Sequence, residues 1–555
     1  MNKLISRCMT KSSVDQTLTD LVWRAKWLRD AEPGAASSLG IDLSQLMVRA
    51  GTAAFDVFKT HYKDRKHWLI LAGQGNNGGD GYIVAHAAAT MGAVVTVWAM
   101  PHQKPLPLEA NNAMKAWVNA GGAVHEVPAN LQVPEGVDLI VDGLLGTGIT
   151  GAPRGLYAQL IERVNALPVA RVSIDVPSGL NAETGEFSGT CFRAHHTVTF
   201  ICVKPGLLTG RARDYVGQLH YDSLGLGAWL NDPERRLSAL CLRLSADSLP
   251  RYFGTPRTHS SHKGSHGRVV LVGGESGFGG AAVMAAESAL SVGAGLMRVL
   301  LAKEHVGALL VRCPEAMCVG LDTAAGAGKI EASVRGALDW ADTVAVGPGL
   351  GQGTFGRAAL AAVLQHAVEH PGKTVVLDAD ALNLLPSYLS QRSSPLRLPH
   401  SIITPHVGEA ARLLGCAVAD VERDRFDAAR RLANLLGGVC VLKGPGSVIY
   451  NHREGDTASG DAQQGEILFS PQHCAIVDAG NAGMATGGMG DVLTGVLVGV
   501  AAHMPPTGCS GIFNVACAGA LAHSVSADLA ILGRGSRGLR ATELLPYLQV
   551  CVNAS

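Results

Sequence analysis

Short apolar runs recur along this chain, each closing on a glycine or a polar turn and followed by an Ala-rich stretch of helical periodicity. His67–Gly73 reads as a buried strand, Tyr82–Met91 as a helix and Ala93–Ala99 as the next strand, which is one βαβ unit. Val137–Val141, Arg171–Val176 and Thr197–Val203 add strands to the first half. The second half repeats the pattern at Arg268–Val272, Met297–Ala302, Thr343–Val346, Thr374–Leu377, Ser401–Thr404 and Val439–Leu442. Strands that are apolar throughout and alternate with helices belong in parallel sheets covered on both faces. The pattern therefore predicts an α/β protein built from two three-layer α/β/α domains. The polar stretch Arg251–Gly267 interrupts it and reads as a linker or lid, which places one domain over 1–240 and the other over 245–555.

Composition narrows the classes. Hydrophobic residues make up 47% and charged residues 17%, enough apolar matter for a large core and too much for a disordered chain. Lys+Arg and Asp+Glu both number 46, so no general field draws the chain to nucleic acid or anionic membrane, and neither is expected as a partner. The apolar run Val492–Ala502 spans 11 residues, short of the ~20 that cross a bilayer. Met1–Asp20 lacks the apolar centre of a secretory signal, and Asp15 and Asp20 argue against a transit peptide; a cytoplasmic protein is expected. The 12 cysteines form no CxxC pair. Cys202, Cys440 and Cys517 sit in apolar runs, as buried hydrophobes do, rather than as zinc ligands or disulfides.

Candidate chemistry clusters where strands end. Gly73-Gln74-Gly75-Asn76-Asn77-Gly78 fits GxGxxG, but Val97–Pro101, where a dinucleotide fold carries an acid for the ribose, has none, which disfavours hydride transfer. Asn76, Asn77 and Asp80 stand among four glycines, a composition suited to phosphate at a helix start and to oxygen ligation. Any one of them alone would read as a turn or cap residue. Two further loops carry Asp142-Gly143-Leu144-Leu145-Gly146-Thr147-Gly148 and Asp175-Val176-Pro177-Ser178. Loops at the carboxyl ends of parallel strands meet in one crevice, so Asn77, Asp142, Asp175 and Ser178 can converge. Oxygen donors with few full charges suit a monovalent cation, and a carboxylate free of it can move a proton.

The strings NNGGDG, VDGLLGTG and DVPSGL, in that order, resemble the NAD(P)H-hydrate epimerase family over about residues 45–225. The resemblance implies a Rossmann-like domain that interconverts the R and S hydrates at C6 of the reduced nicotinamide ring. It implies that Asn77, Asp142 and Ser178 hold K+. It assigns the hydrated dinucleotide to Asn76, Asn77, Gly78, Gly79, Asp80, Gly146, Thr147, Gly148, Ile149, Thr150, Gly151, Ala152 and Asp175, with Asp175 handling the proton.

In the second half, Asp478–Asp491 reads DAGNAGMATGGMGD and opens a helix, so a glycine-rich backbone and a helix N-terminus form an anion hole. Asp491 stands where it can take a proton from a hydroxyl attacking a phosphoryl group, although an isolated Asp there would read as a cap. Gly273–Ala281, Gly347–Gly351, Thr404–Glu409 and Lys443–Ser447 are further strand-end loops, and Asp378 and Asp380 are candidates to hold Mg2+ through water. His262-Lys263-Gly264, GPGLG, TPHVGE, KGPGS and GNAGMATGGMGD resemble, over about 255–530, ADP/ATP-dependent NAD(P)H-hydrate dehydratases of ribokinase-like fold. The resemblance implies that Ala281, Gly351, His406 and Asp491 contact the S hydrate, and that Lys443, Gly444, Pro445, Gly446, Ser447 and Gly490 contact the adenine nucleotide. It also implies that phosphorylation of the C6 hydroxyl precedes its elimination. Single-chain fusions are expected as a bacterial type using ADP, with NADHX and NADPHX as substrates and a homo-oligomeric assembly. Two alternatives stay open: a hydroxymethyl-pyrimidine or sugar kinase with a nucleotide-sensing N-terminal domain, and an active dehydratase carrying a catalytically silent N-terminal module.

Overall fold

The computed structural model describes residues 19–101, 104–148, 151–453, 469–504 and 508–554. The chain divides at Leu240/Cys241 into two compact units.

The sheet of the N-terminal unit has seven strands: β1 (His67–Ala72), β2 (Val94–Ala99), β3 (Val124–Glu126), β4 (Leu139–Gly143), β5 (Ala170–Ile174), β6 (His196–Phe200) and β7 (Gln218–Asp222). Their order is β3-β2-β1-β4-β5-β6-β7 and every pairing is parallel. That is the doubly wound Rossmann order, reversing between β1 and β4. The helices needed below are α1 (Ala25–Ser38), α2 (Leu43–Tyr62), α3 (Asn76–Thr90), α4 (Leu108–Asn119) and α5 (Leu156–Asn165). β4 is buried along its whole length, as a strand covered on both faces must be.

One element departs from the pattern-based expectation in an instructive way. The helix expected over Tyr82–Met91 begins six residues earlier, at Asn76, so Asn76–Gly81 forms helical turns rather than a loop. Glycine disfavours a helix interior by about 1 kcal/mol relative to alanine. Packing overrides that here. A Cβ on Gly78 would lie 2.2 Å from the Gly73 carbonyl oxygen, and one on Gly79 would lie 2.5 Å from Met47 Sδ and 2.9 Å from Ala110 Cα. The glycines let α3 press against the end of β1 and against α2 and α4.

The C-terminal unit carries β8 (Cys241–Leu244), β9 (Arg268–Val272), β10 (Leu296–Ala302), β11 (Met317–Leu321), β12 (Thr343–Val346), β13 (Thr374–Leu377), β14 (Ser401–Ile403), β15 (Val439–Leu442), β16 (Val448–Asn451) and β17 (Cys474–Val477). Their order is β8-β17-β16-β15-β14-β13-β12-β9-β10-β11. Pairings are parallel except that β16 runs antiparallel to both β15 and β17, so the second sheet is mixed where parallel strands alone were expected. A short loop, Lys443–Ser447, joins β15 to β16, and a turn that tight can only reverse the chain. Arg251–Gly267 lies inside this unit, where Leu249–Phe253 and Lys263–His266 form short helices, so it is not a linker between units.

Around this sheet stand α6 (Gly279–Ser291), α7 (Asp380–Ser390), α8 (Val407–Leu414), α9 (Arg425–Leu436), α10 (Met489–His503) and α11 (Gly508–Ile531). The stretch Gly511–Ile531 of α11 is long and apolar enough to span a bilayer, with a mean hydropathy of 1.3, but 89% of that window is buried inside the unit. It is a core helix, apolar all round because both its flanks are covered.

Candidate active sites

In the N-terminal unit the strand ends enclose a cavity of about 650 Å³. Its walls come from α1 (Arg29, Glu32), α2 (Leu46, Met47), the start of α3 (Asn76, Asn77, Asp80), the loop after β4 (Leu144–Gly148), and Asp175, Lys204 and Leu224 at later strand ends. Thus Asn76, Asn77, Asp80, Gly146, Thr147, Gly148 and Asp175 all line the space expected of them. Gly78 and Gly79 are not in the wall: they are buried packing positions, and their N–H groups donate to the Gly75 carbonyl at 3.1 and 3.3 Å. Gly151 and Ala152 stand outside the lining, and Ile149 and Thr150 lie outside the described residues.

The centre of the cavity is charged. Asp175 follows β5 with a φ of +60°, a strained conformation for a residue with a Cβ, costing of order 1–3 kcal/mol. Ile201 and Leu224, with φ of +65° and +53°, do the same after β6 and β7. Strain at three adjacent strand ends holds the cavity floor in one shape. Lys204 Nζ donates to Asp175 Oδ1 at 2.6 Å, to Thr199 Oγ1 at 3.0 Å and to the Phe200 carbonyl at 2.9 Å, and its side chain is 1% exposed. Burial, with the nearby Asp175 carboxylate next, pushes Asp80 well above the usual carboxylate range and raises Glu32 as well. Lys204 opposes both shifts. It was not singled out from the sequence, although it stands directly after the apolar run Thr197–Val203, where a strand-end reading would look.

Beside this cluster Asp142, fully buried, accepts from Ser178 N at 2.8 Å, Ser178 Oγ at 2.5 Å, Ser173 Oγ at 3.1 Å and Leu144 N at 3.2 Å. Burial nevertheless lifts its pKa to about 6, because none of these donors carries a positive charge. Leu145 links the remaining pair: its N–H donates to Ser178 Oγ at 2.9 Å, and its carbonyl accepts from Asn77 Nδ2 at 3.0 Å. Asn77 Oδ1 is buried without a hydrogen-bond partner. Asn77, Asp142 and Ser178 are therefore one cluster.

In the C-terminal unit Lys443 Nζ contacts Asp378 Oδ1 at 2.7 Å and Glu409 Oε2 at 3.8 Å. Burial opposes ionisation of Asp378, but the Lys443 ammonium outweighs it and holds the carboxyl below its usual range. Thr494 Oγ1 donates to Asp378 Oδ2 at 2.8 Å. A Cβ on Gly490 would lie 3.3 Å from both Asp378 Oδ2 and Lys443 Nζ, so Gly490 lets α10 begin against this pair. Asp491 is in the first turn of α10. Burial, then the Asp378 carboxylate, raises its pKa to about 7.

The other expected residues surround this centre. Gly351 N donates to Asp380 Oδ2 at 2.9 Å, and Asp380 also accepts from Gln352 and Asn383. Asp378 and Asp380 thus both accept hydrogen bonds from protein donors. Ala281, in the first turn of α6, faces Gly349, where a Cβ would lie 3.2 Å from its own. His406 caps α8: its Nδ1 accepts from Gly408 N at 2.9 Å and Glu409 N at 3.4 Å, which puts the ring hydrogen on Nε2. Gly444, at φ +145°, lies over the buried Arg425, whose guanidinium donates to the Leu442 and Lys443 carbonyls and underpins the loop. Ser447 Oγ donates to the Gly444 carbonyl at 3.1 Å, within the same Lys443–Ser447 turn that carries Pro445 and Gly446. His262-Lys263-Gly264 forms its own exposed turn. Thr494 and Arg425 lie outside the motifs read from the sequence, and Glu409 closes TPHVGE.

Two α/β units, each with buried carboxylates against a lysine at its strand ends, form two separate polar centres. Residues 43–206 match the family model of the YjeF-related protein N-terminus, and residues 269–550 match that of NAD(P)H-hydrate dehydratase. The Bifunctional NAD(P)H-hydrate repair enzyme of Leishmania infantum is 55% identical over 100% of this chain and 98% of its own length. The corresponding enzyme of Escherichia coli (strain K12) is 46% identical over 96% and 94%. The crystal structure of ADP/ATP-dependent NAD(P)H-hydrate dehydratase from Bacillus subtilis, co-crystallised with ATP/Mg2+, aligns at 26% identity and a TM-score of 0.43 over 55% of this chain and 96% of its own. The chain belongs to the bifunctional NAD(P)H-hydrate repair enzymes and carries an epimerase and a dehydratase unit. The Leishmania relatives show that such fusions are not confined to bacteria.

Proposed function

We propose that the N-terminal cavity equilibrates the R and S forms of NADHX and NADPHX, and that the Asp491 centre dehydrates the S form at the expense of ADP or ATP. The observation that carries this division is that each unit has its own carboxylate–lysine pair with one partner buried: Asp175 with the buried Lys204, and the buried Asp378 with Lys443. Asp175 handles the proton in epimerisation, and Lys204 holds its carboxylate in place. In the second unit Asp491, with a pKa raised to about 7, takes the proton as the C6 hydroxyl attacks the terminal phosphoryl group. A base poised near the working pH combines availability with driving force. Phosphate then departs from a carbon that hydroxide would leave only slowly. His406 donates its Nε2–H to the bound hydrate, turning from Glu409 Oε1, 3.5 Å away, and the Lys443–Ser447 loop and Gly490 receive the nucleotide.

For the monovalent cation the donor chemistry fits. Asn77 Oδ1 is an unpartnered buried oxygen, and Asp142 is a buried carboxylate with no cationic partner among its contacts. K+ held by Asn77, Asp142 and Ser178 would neutralise that charge and fix the loops that shape the cavity. Mg2+ enters with the nucleotide phosphates, and Asp378 and Asp380 would hold it through water. The chain works as a homo-oligomer in the cytoplasm. The test follows absorbance at the reduced-nicotinamide band with mixed hydrates and full-length protein. Full recovery of both epimers with ADP or ATP supports the reading. A stable phosphorylated product without NAD(P)H would favour a kinase instead.

A further inference from the structure

Three histidines from separate elements of the N-terminal unit converge away from the cavity. His61 is in the last turn of α2, His196 opens β6 and His220 is the central residue of β7. The parallel register Val198↔His220 and His196↔Gln218 sets His196 and His220 on one face of the sheet, diagonal to each other. His196 is the first residue of β6, whereas the cavity wall begins at Phe200, its last.

The rings are close. His196 Nδ1 and His220 Nε2 are 2.9 Å apart. Ring centroids are 4.2 Å apart for His61 and His196, and 5.1 Å for His61 and His220. One ring nitrogen from each residue lies within 4.8 Å of the other two, and the grouping includes no carboxylate or thiolate. Burial pushes His196 down to about 4 and His220 to about 3, each lowered further by the neighbouring imidazoles.

We propose that His61, His196 and His220 form a binding site for a divalent transition metal of borderline softness, Zn2+ foremost. Neutral imidazole nitrogens are its common ligands, at about 2.0–2.1 Å in a tetrahedral shell. Small rotations bring the three nitrogens onto one ion, and the exposed position of His61 leaves the fourth place to water. The ion pins the C-terminal end of α2 to β6 and β7. The other end of the same helix supplies Leu43, Leu46, Met47 and Ala50 to the cavity wall, so the metal acts as a structural clamp behind it. A second grouping, Asp339, His366 and His370, lacks this character: it includes an exposed carboxylate, and the Lys373 ammonium stands 3.4 Å from His366 Nε2, a charge that disfavours a cation beside it.

The test uses full-length protein stripped with a chelator and compared with His61→Ala, a change at an exposed position that leaves the His196–His220 pair intact. After loading with zinc and gel filtration, wild type should retain one more zinc per chain than the variant. Zinc should raise the melting temperature of wild type by several degrees and leave the variant unmoved, since a ligand that binds only the folded state stabilises it. Co2+ in place of zinc should give visible bands of a four-coordinate site in wild type alone. Equal zinc content and equal thermal shift in the two proteins, or no retention by either, would overturn the assignment. Matching melting temperatures of the two metal-free proteins show that the variant is folded.

Discussion

Lys204 Nζ sits 2.6 Å from Asp175 Oδ1, and this pair joins the ends of the neighbouring strands β5 and β6 beneath the N-terminal cavity. The ammonium is buried and anchored by Thr199 and a main-chain carbonyl, so it serves as a fixed counter-charge to Asp175 and its carboxylate neighbours Glu32 and Asp80. Lys204→Met should remove that counter-charge and push Asp80 and Glu32 further up. Epimerisation should fall at least ~10-fold while dehydration of pure S hydrate continues. Separate assays of the two reactions on one preparation check this, and loss of both would point to misfolding.

Asp175→Asn keeps the shape and removes the proton acceptor, and general-base loss is typically ~10²–10⁴-fold. With nucleotide present, the variant should convert S hydrate and stall with R remaining, apart from slow spontaneous epimerisation. Wild-type conversion of a mixture to completion by this variant would leave Asp175 as a turn residue.

Asp491→Asn should lower dehydration by about the same ~10²–10⁴-fold and leave R–S equilibration untouched. Because the carboxyl is raised to about 7, the base is protonated below that pH and free above it. The dehydration rate of wild type should therefore rise through about pH 7 and level off at higher pH. A pH-independent rate across that window would remove Asp491 from the proton transfer.

Asp142→Ala should reduce epimerisation and abolish any response of that reaction to K+, with dehydration of pure S hydrate near normal. The comparison is epimerase rate in K+ against a bulky organic cation, for wild type and variant. An identical K+ response in both would place the cation elsewhere.

Gly78→Ala puts a methyl 2.2 Å from the Gly73 carbonyl oxygen, which is backbone and cannot swing aside. Overpacking of this kind costs typically ~1–3 kcal/mol, and at ~2–4 °C per kcal/mol the melting transition of the N-terminal unit should drop visibly. Calorimetry of the full chain would show it, and an unchanged transition would mean that α3 can move outward at no cost.

Local pattern was sufficient for strands that are apolar at every residue after the first. β9, β12, β13 and β15 coincide with runs legible in the sequence, because a strand covered on both faces has only one composition available to it. The strand-end loops were legible for the same reason, since polar residues and glycines after such a run can lie only at its exposed end. β3 and β7 were not, being short or polar, and pairing alone makes them strands. Nor did sequence separate the glycines that line a site from those that pack a helix. Gly75 faces the cavity, whereas Gly78 and Gly79 are dictated by Gly73, Met47 and Ala110. Lys204 and Arg425 act through partners on other segments, and the convergence of His61, His196 and His220 rests on strand register and the length of α2. Charge pairing and side-chain clustering depend on distances across the fold, which local sequence does not encode.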